Sequence, residues 1–160
     1  MKPKVYIETS VISYYTARPS RDVVVAGHQQ ATQEWWQTQL PRLDAHISSV
    51  VLEEISQGDP KASLARLQVV DSFPSLEITA DVVKLARAYF EALSLPDKAR
   101  LDALHLALSV QHGMDFLLSW NFTHIAGARP RAIIQTLNYR MGIDTPVICT
   151  PEELLEGDPQ

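Results

Sequence analysis

Short apolar runs alternate along the chain with longer segments in which apolar residues recur at helical spacing. The strand-like runs fall at 4–7, 45–48, 115–119 and 146–149, with a weaker one near 76–78. The helical patterns cover about 9–16, 21–40, 49–57, 60–70, 80–93, 97–112 and 130–141. Because helices separate the strands, the pattern predicts an α/β fold with a mostly parallel sheet that is covered on both faces.

The predicted helix starts carry polar residues of the kinds that cap helices. Thr9 and Ser10 precede the apolar positions of the first helix and offer hydroxyl oxygens to its free N–H groups. Asp97 is expected to cap the sixth predicted helix in the same way. In the long second helix, Trp35 and Trp36 belong to a stripe with helical spacing. We therefore expect both rings in the core or in a subunit contact rather than as a surface on which bases stack.

Length and composition indicate one soluble globular domain covering residues 1–160. The chain is 46% hydrophobic and 21% charged, and none of its apolar runs approaches the roughly 20 residues that a membrane span needs. The single cysteine, Cys149, excludes an intramolecular disulfide framework and a cysteine-based zinc site. The first ten residues lack the apolar core of a signal peptide, so the expected location is the cytoplasm, with no membrane partner.

The overall charge argues against a protein that coats nucleic acid by bulk electrostatics. The formal net charge is −5, and the isoelectric point is near 5.5. The net charge does not exclude a local basic surface, which we call the basic rim. Arg18 and Arg21 follow the first predicted helix, and Arg129 and Arg131 follow the segment at 121–127. The alternative for each of these arginines is ordinary solvated surface.

Two glutamates lie where a parallel sheet binds its ligands, beyond the carboxyl ends of the first two predicted strands. Glu8 follows the first strand directly. A carboxylate near a helix N-terminus is also favoured by the macrodipole, by about 0.3–1 kcal/mol, so a structural role for Glu8 stays open. Glu54 lies in the helix after the second strand, on the side of the apolar Val50 and Val51. Glu53 lies on the polar side of that helix and is expected in solvent.

A third carboxylate interrupts a helix that is apolar nearly all round. Asp102 lies in the pattern at 97–112, and a buried carboxylate needs a cation, a metal or hydrogen-bond donors. The structural alternative to a metal is an ion pair between Asp102 and Lys98. It is the less favoured explanation, because such a pair would form equally well on a more exposed face and does not require a buried carboxylate. His105, one turn further on, is expected to be a satisfied core histidine, and the alternative is that it orients Asp102 or a bound water. Asn121 follows the fourth strand and can cap the next helix while facing the same crevice.

These side chains predict a metal site at one edge of the sheet. Glu8, Glu54 and Asp102, with Asn121, come from separate segments that are expected to converge, and three adjacent carboxylates cannot all stay ionised without a cation. Oxygen ligands without a Cys set or an HExxH pair suit Mg²⁺ or Mn²⁺. Such a site activates water for in-line attack on a phosphodiester. The chain has no GxGxxG, GxxxxGK[ST] or GxSxG sequence, so dinucleotide-binding, P-loop and α/β-hydrolase functions lack their signatures.

Four segments, taken together, resemble the PIN-domain ribonucleases, and within that family the VapC-type toxins of type II toxin–antitoxin pairs. They are "YIETSVISYY", "ISSVVLEEISQGD", "RLDALHLALSV" and "DFLLSWNFTHI", in the matching order and spacing over nearly the whole chain. The resemblance implies a three-layer α/β/α sandwich around a central, mostly parallel sheet. It also implies cleavage of RNA with Mg²⁺ or Mn²⁺, and a cognate antitoxin protein that holds the toxin inactive.

The resemblance implies a role for each of five residues. Glu8 stands where the family usually has an Asp as its first acid, Glu54 matches the second acid and Asp102 the third, and these are the implied metal ligands. Asn121 stands where the family often has a fourth acid and is expected to position water or metal. Ser10 takes the place of the polar residue two positions after the first acid and is expected to assist. The longer side chain of Glu8 and the uncharged Asn121 depart from the family pattern and count against a second metal.

Two classes of function remain open at this point. The main hypothesis is a Mg²⁺- or Mn²⁺-dependent endoribonuclease, the toxin of a toxin–antitoxin pair. The rival is a catalytically degenerate PIN-fold module that binds RNA or protein without cutting, because its acid set is incomplete. The residues leave open whether the substrate is RNA or DNA, and whether the protein forms a homodimer.

Overall fold

Strands and helices alternate along the chain as the pattern predicts. The computed structural model describes residues 1–155. Its strands are β1 (Lys4–Ile7), β2 (Asp44–Ser48), β3 (Ser75–Leu76), β4 (Phe116–Leu118) and β5 (Val147–Cys149). Its helices are α1 (Thr9–Thr16), α2 (Val23–Thr38), α3 (Ser49–Ile55), α4 (Pro60–Val70), α5 (Ala80–Ala92), α6 (Arg100–Gln111) and α7 (Ala128–Met141), with short 3-10 turns at Leu40–Arg42 and Asp97–Ala99. Both α1 and α4 have the predicted bounds.

The five strands form one parallel sheet in the order β3-β2-β1-β4-β5. The central strand is β1, and its residues Val5, Tyr6 and Ile7 are fully buried. After β1 the chain builds outward to one side through β2 and β3, and it then returns to the other side for β4 and β5. The strand order therefore reverses at β1, and the carboxyl end of β1 is the topological switch point where such sheets bind ligands.

The helices form two groups, and the members of each group pack against one another. One group is α1 with α2, α3 and α4, and the other is α5 with α6 and α7. These groups make the outer layers of the α/β/α sandwich that the sequence predicts, and the predicted fold class is confirmed. Within residues 1–155, no helix is both long enough and apolar enough to cross a membrane.

The long second helix buries the aromatic stripe that the periodicity assigns to the core. Trp35 is fully buried, and Trp36 is partly buried and stacks face to face on Tyr15 of α1 at 4.2 Å between ring centroids. The helix α6 is buried nearly all round, as predicted, from Ala103 through Val110 except at the partly buried Leu104. Both features agree with the expectation that these residues serve packing.

The predicted caps are wrong in three places. The cap of α1 is Glu8 rather than Thr9 or Ser10, because both hydroxyl residues are already helical and the Glu8 carboxylate accepts from the backbone N–H of Ser10. Asp97 caps nothing, since its carboxylate pairs with Arg100 at 3.1 Å. Asn121 does not cap α7, which begins seven residues later at Ala128; its side chain instead closes the turn that follows β4.

Candidate active site

The carboxylate of Glu8 is held at the switch point by three hydrogen bonds. Its Oε1 accepts from the hydroxyl of Ser10 at 2.5 Å and from the hydroxyl of Ser119 at 2.6 Å, and its Oε2 accepts from the N–H of Ser10 at 3.0 Å. The backbone N–H of Glu8 donates to the carbonyl of Leu118 in the neighbouring strand. Glu8 is only 5% exposed. A buried carboxylate that accepts these bonds stays in one orientation, and it caps α1 at the same time.

Ser10 connects Glu8 to the segment that follows β4. Its hydroxyl donates to Glu8 and accepts from the backbone N–H of Trp120 at 2.8 Å. Ser119, which is fully buried, contributes the second hydroxyl on Glu8 and also accepts from the N–H of Asn121 at 3.0 Å. Ser10 therefore fixes the orientation of the Glu8 carboxylate and connects it to Trp120, and its assisting role in catalysis stays a prediction.

Glu54 lies on the half-buried side of α3, whereas Glu53 is exposed, as the helical spacing predicts. Its Oε1 accepts from the hydroxyl of Thr9 at 2.7 Å and lies 2.5 Å from Nε2 of His105. Among residues 1–155, no hydrogen bond is made to Oε2 of Glu54, so this oxygen remains available to a metal or a donor. Burial acts to raise the pKa of Glu54. The hydrogen bond and charge of His105, together with the bond from Thr9, outweigh burial and lower that pKa, so the carboxyl group stays ionised.

His105 is a fully buried link between Glu54 and β1. Its Nδ1 lies 2.7 Å from the hydroxyl of Tyr6, which in turn lies 2.8 Å from the hydroxyl of Ser48. Burial acts to lower the pKa of His105, but the hydrogen bond to Glu54 and the charges of nearby carboxylates outweigh it and raise the pKa. Both ring nitrogens have partners, as expected of a satisfied core histidine. The residue that it orients is Glu54 rather than Asp102.

Asp102 lies in the first turn of α6, with 17% of its side chain exposed. Its Oδ2 is 2.7 Å from Nδ1 of His124, so the partner of this carboxylate is His124 and not Lys98. The turn that carries His124 is closed by Asn121, whose Oδ1 accepts from the N–H of His124 at 3.1 Å. Asn121 therefore acts on Asp102 indirectly, through the position of His124.

The structure brings two of the three expected ligands into one cluster. Within residues 1–155, the one group of three or more acidic, histidine or cysteine side chains whose ligand atoms all lie within 4.8 Å of one another is Glu8, Glu54 and His105. Asp102 lies outside this group, although it is near enough for its charge to raise the pKa of His105. Two oxygens bound to one Mg²⁺ ion at about 2.1 Å lie at most about 4.2 Å apart. The ligand atoms of Glu8 and Glu54 lie within 4.8 Å of each other, which is comparable with that limit, so the two carboxylates could hold one divalent cation.

The candidate basic rim is partly used within the fold. Arg18, Arg21 and Arg129 are exposed. Arg131 donates from Nη1 to Glu153 at 3.3 Å and reaches the carbonyl of Ile148 at 3.4 Å. Arg131 therefore helps to hold α7 against the segment that follows β5, and it is a weaker candidate for contacting phosphates than the other three.

Four residues of the site escaped the sequence-based prediction. These are Tyr6, Thr9, Ser119 and His124. Ser119 and His124 lie in the quoted segment "DFLLSWNFTHI", but their partners are 111 and 22 positions away along the chain. Periodicity reports which face of an element is buried, and it carries no signal for hydrogen bonds between distant segments.

Comparison with known proteins agrees with this fold. A family model described as the PIN domain matches residues 5–121. One solved structure, the VapBC2 complex from Rickettsia felis bound to a DNA fragment from its promoter, contains a chain that superposes with a TM-score of 0.57 at 12% identity. That match covers 91% of this chain and 97% of the other. No curated protein sequence matches this chain. PIN domains are generally nucleases, and the present chain belongs to the PIN domain family.

Proposed function

We propose that this chain is a divalent-metal-dependent endoribonuclease. The observation that carries the proposal is the pair of carboxylates, Glu8 and Glu54, held within a cluster of atoms inside 4.8 Å at the switch point of a PIN fold. Two ionised groups so close repel each other, and a cation between them removes that repulsion. A divalent metal bound here would supply an activated water and would neutralise charge on the phosphodiester.

The chain's own residues hold and orient this site. Glu8 and Glu54 would hold the metal. Ser10 and Ser119 fix the Glu8 carboxylate, and His105 fixes the Glu54 carboxylate. Asp102, which lies outside the cluster of Glu8, Glu54 and His105, would supply a third ligand, and its Oδ2 contacts His124. Asn121 positions His124, and through it Asp102. His105 keeps Glu54 charged without itself binding the metal, because both of its nitrogens are already occupied.

The test compares two neighbouring glutamates of α3. Glu54→Gln keeps the size of the side chain and removes its charge, whereas Glu53→Gln makes the same change on the exposed side of the helix. We expect Glu54→Gln and Asp102→Asn to lose Mn²⁺ binding in calorimetric titration. Both should also reduce cleavage of a pool of cellular RNAs by at least about 100-fold, the upper end of what loss of an outer-shell partner costs.

Glu53→Gln serves as the control and should bind Mn²⁺ and cleave as the parent does. EDTA should abolish cleavage by the parent. Equal activity of Glu54→Gln and Glu53→Gln, or full activity in EDTA, would contradict the proposal. A DNA pool in a parallel reaction decides between the two nucleic acids.

We further propose that the protein is the toxin of a toxin–antitoxin pair and acts in the cytoplasm on cellular RNA. The shared fold with a chain of the VapBC2 complex supports this proposal. An antitoxin would insert an Arg or Lys side chain among Glu8, Glu54 and Asp102, because a cation there relieves the same repulsion as a metal. A co-purified partner whose contacts all lie far from these carboxylates would contradict it.

A second candidate function is a PIN-fold module that binds without cutting. It is favoured by two observations: the Glu8 carboxylate already accepts three hydrogen bonds, and an amide stands at position 121. Such a module would bind RNA or a protein partner without measurable Mn²⁺ affinity. The calorimetric titration that tests the nuclease proposal therefore also separates the two functions.

A further inference from the structure

A large apolar side chain projects into solvent directly beside the candidate active site. Phe122 is 49% exposed and follows Asn121 in the chain. Burial of an aromatic side chain is worth a few kcal/mol of folding free energy, and a ring left half in water forgoes much of it. The half of the ring that remains in water is therefore available to contact a ligand.

Phe122 is the outermost member of an aromatic cluster that also contains Tyr14, His28 and Trp120. The rings of His28 and Trp120 stack at 4.1 Å with an interplanar angle of 16°, and Trp120 is 5% exposed. The ring of Phe122 lies 6.1 Å from that of Trp120 and 6.0 Å from that of His28. The cluster is thus buried at its base and exposed at Phe122.

The segment that carries Phe122 is fixed relative to Glu8. The hydroxyl of Ser10 bonds both the Glu8 carboxylate and the N–H of Trp120, and the indole N–H of Trp120 donates to Thr32 at 2.8 Å. The N–H of Phe122 donates to the carbonyl of Trp120 at 3.0 Å. Phe122 therefore lies two residues after Trp120, which Ser10 connects to Glu8. Its ring is already held in place before any ligand binds.

Positive charge lies in a loop that is tied to α2, the helix that carries His28. The exposed residues Arg18 and Arg21 are in the loop between α1 and α2, and this loop is tied to Gln29. Ser20 donates to the Gln29 side chain at 2.9 Å, and that side chain donates to the carbonyl of Arg18 at 3.0 Å. Gln29 is the chain neighbour of His28. An aromatic face with adjacent arginines is the arrangement with which proteins bind single-stranded nucleic acid, by base stacking and phosphate contacts.

We propose that Phe122 stacks on a base of single-stranded RNA and so positions the strand at the candidate active site. This inference rests on the proposed ribonuclease function and assigns to Phe122 a positioning role that involves no chemistry. The exposed Arg18 and Arg21 in the loop between α1 and α2 favour a polyanion over the apolar side chain of a protein partner.

The test measures binding without cleavage. Fluorescence anisotropy in EDTA reports the Kd for a labelled 12-nucleotide RNA of random sequence, and for an RNA of equal length in which the bases are replaced by abasic riboses. We expect Phe122→Ala to weaken binding of the intact RNA by about 5- to 150-fold, the range that alanine substitution of a stacking residue gives. Phe122→Trp should bind as the parent does. Phe122→Leu, which keeps apolar bulk but loses the flat ring, should bind as weakly as Phe122→Ala.

Tyr139→Ala is the matched control, because Tyr139 is an exposed aromatic residue near the end of α7, which leads away from the site. It should leave binding unchanged. Parent and Phe122→Ala should bind the abasic RNA equally weakly. The proposal is overturned if the parent shows no base-dependent binding, if Phe122→Leu binds as the parent does, or if the loss in Phe122→Ala is the same on abasic RNA. It is also overturned if Phe122→Ala binds RNA normally and instead loses a co-purifying protein.

The nuclease proposal and the stacking proposal are contradicted by different results. A parent protein that does not cleave with Mn²⁺, yet binds RNA through its bases and Phe122, would remove the nuclease proposal and leave stacking in place. A parent protein that cleaves, but whose Phe122→Ala variant binds and cleaves normally, would remove stacking alone.

Discussion

Glu8 shows how one residue serves both the fold and the site. Its backbone is extended, with φ −77° and ψ 156°, as an N-cap requires. Its side chain turns back to the N–H of Ser10 and also reaches the hydroxyl of Ser119 in the segment after β4. From the sequence, the alternatives for this acid are metal binding and a favourable interaction with the helix macrodipole, and the cap is expected at Thr9 or Ser10. In the structure Glu8 is the N-cap of α1. The same carboxylate also belongs to the cluster of Glu8, Glu54 and His105.

The buried hydroxyl of Ser119 should contribute measurably to stability. Ser119→Ala removes one of the two hydroxyl donors to a carboxylate that is 5% exposed. We expect a loss of about 1–3 kcal/mol in the free energy of unfolding, because the charge loses a hydrogen bond in a place that water hardly reaches. Urea denaturation of the metal-free protein measures this loss.

Ser56→Ala is the comparison for Ser119→Ala. Ser56 is exposed at the end of α3, and its hydroxyl bonds only the local carbonyl of Leu52. Its removal should change the unfolding free energy by no more than about 0.5 kcal/mol, as is usual for surface positions. Equal losses in the two variants would show that Ser119 does not support Glu8.

At the scale of elements, the turn between β4 and α7 has little room to adjust. The carbonyl of Asn121 accepts from Ile125 and Ala126, and its side chain accepts from His124. A Cβ atom added to Gly127 would lie 2.0 Å from the carbonyl oxygen of Phe122. Only glycine therefore allows the two ends of this turn to approach so closely.

Two glycine-to-alanine substitutions should act with opposite signs. Gly127→Ala forces the backbone of the turn apart, so we expect a lower melting temperature and weaker RNA cleavage. Gly27→Ala lies within α2, where an added Cβ meets nothing within 4 Å, and it should stabilise the protein by about 0.5–1 kcal/mol. Thermal melting followed by circular dichroism measures both changes. A stabilising Gly127→Ala would show that the turn is looser than its geometry indicates.

The strand β5 buries the only cysteine of the chain. Burial, followed by the charge of Glu153, raises the pKa of Cys149 to about 12. A raised thiol pKa leaves stability intact below the unfolded pKa, about 8.5, and reduces it as the pH rises above that value. We expect the folded protein to resist iodoacetamide at pH 8 and to react once unfolded. Rapid alkylation of the folded chain would contradict this burial.

The elements follow from the sequence more closely than the contacts between them. Apolar periodicity predicts α1 and α4 with their observed bounds, and it separates the inward Glu54 from the exposed Glu53. It does not predict that His124 pairs with Asp102, or that Thr9 bonds Glu54. Those partners depend on strand order and on the turn after β4, which arise from tertiary packing.

At the scale of the whole molecule, the proposed RNA binding would have to work against the protein's own net charge of −5. Arg131 is already paired with Glu153, which leaves Arg18, Arg21 and Arg129 exposed among the candidate contacts. Long-range attraction therefore cannot supply the affinity, and a few local contacts must do so.

The salt dependence of RNA affinity measures those contacts directly. Each phosphate contact with a single strand adds about −0.7 to the slope of log K against log salt, so three arginines should give a slope of about −2. Arg21→Ala should make the slope shallower by about 0.7, because it removes one contact. Arg140→Ala, an equal loss of charge in the last turn of α7, should leave the slope unchanged, since that end of the helix lies away from the site. Anisotropy titrations across a series of KCl concentrations give both values. A slope near −7, or equal slopes for the two variants, would place the RNA on a different surface.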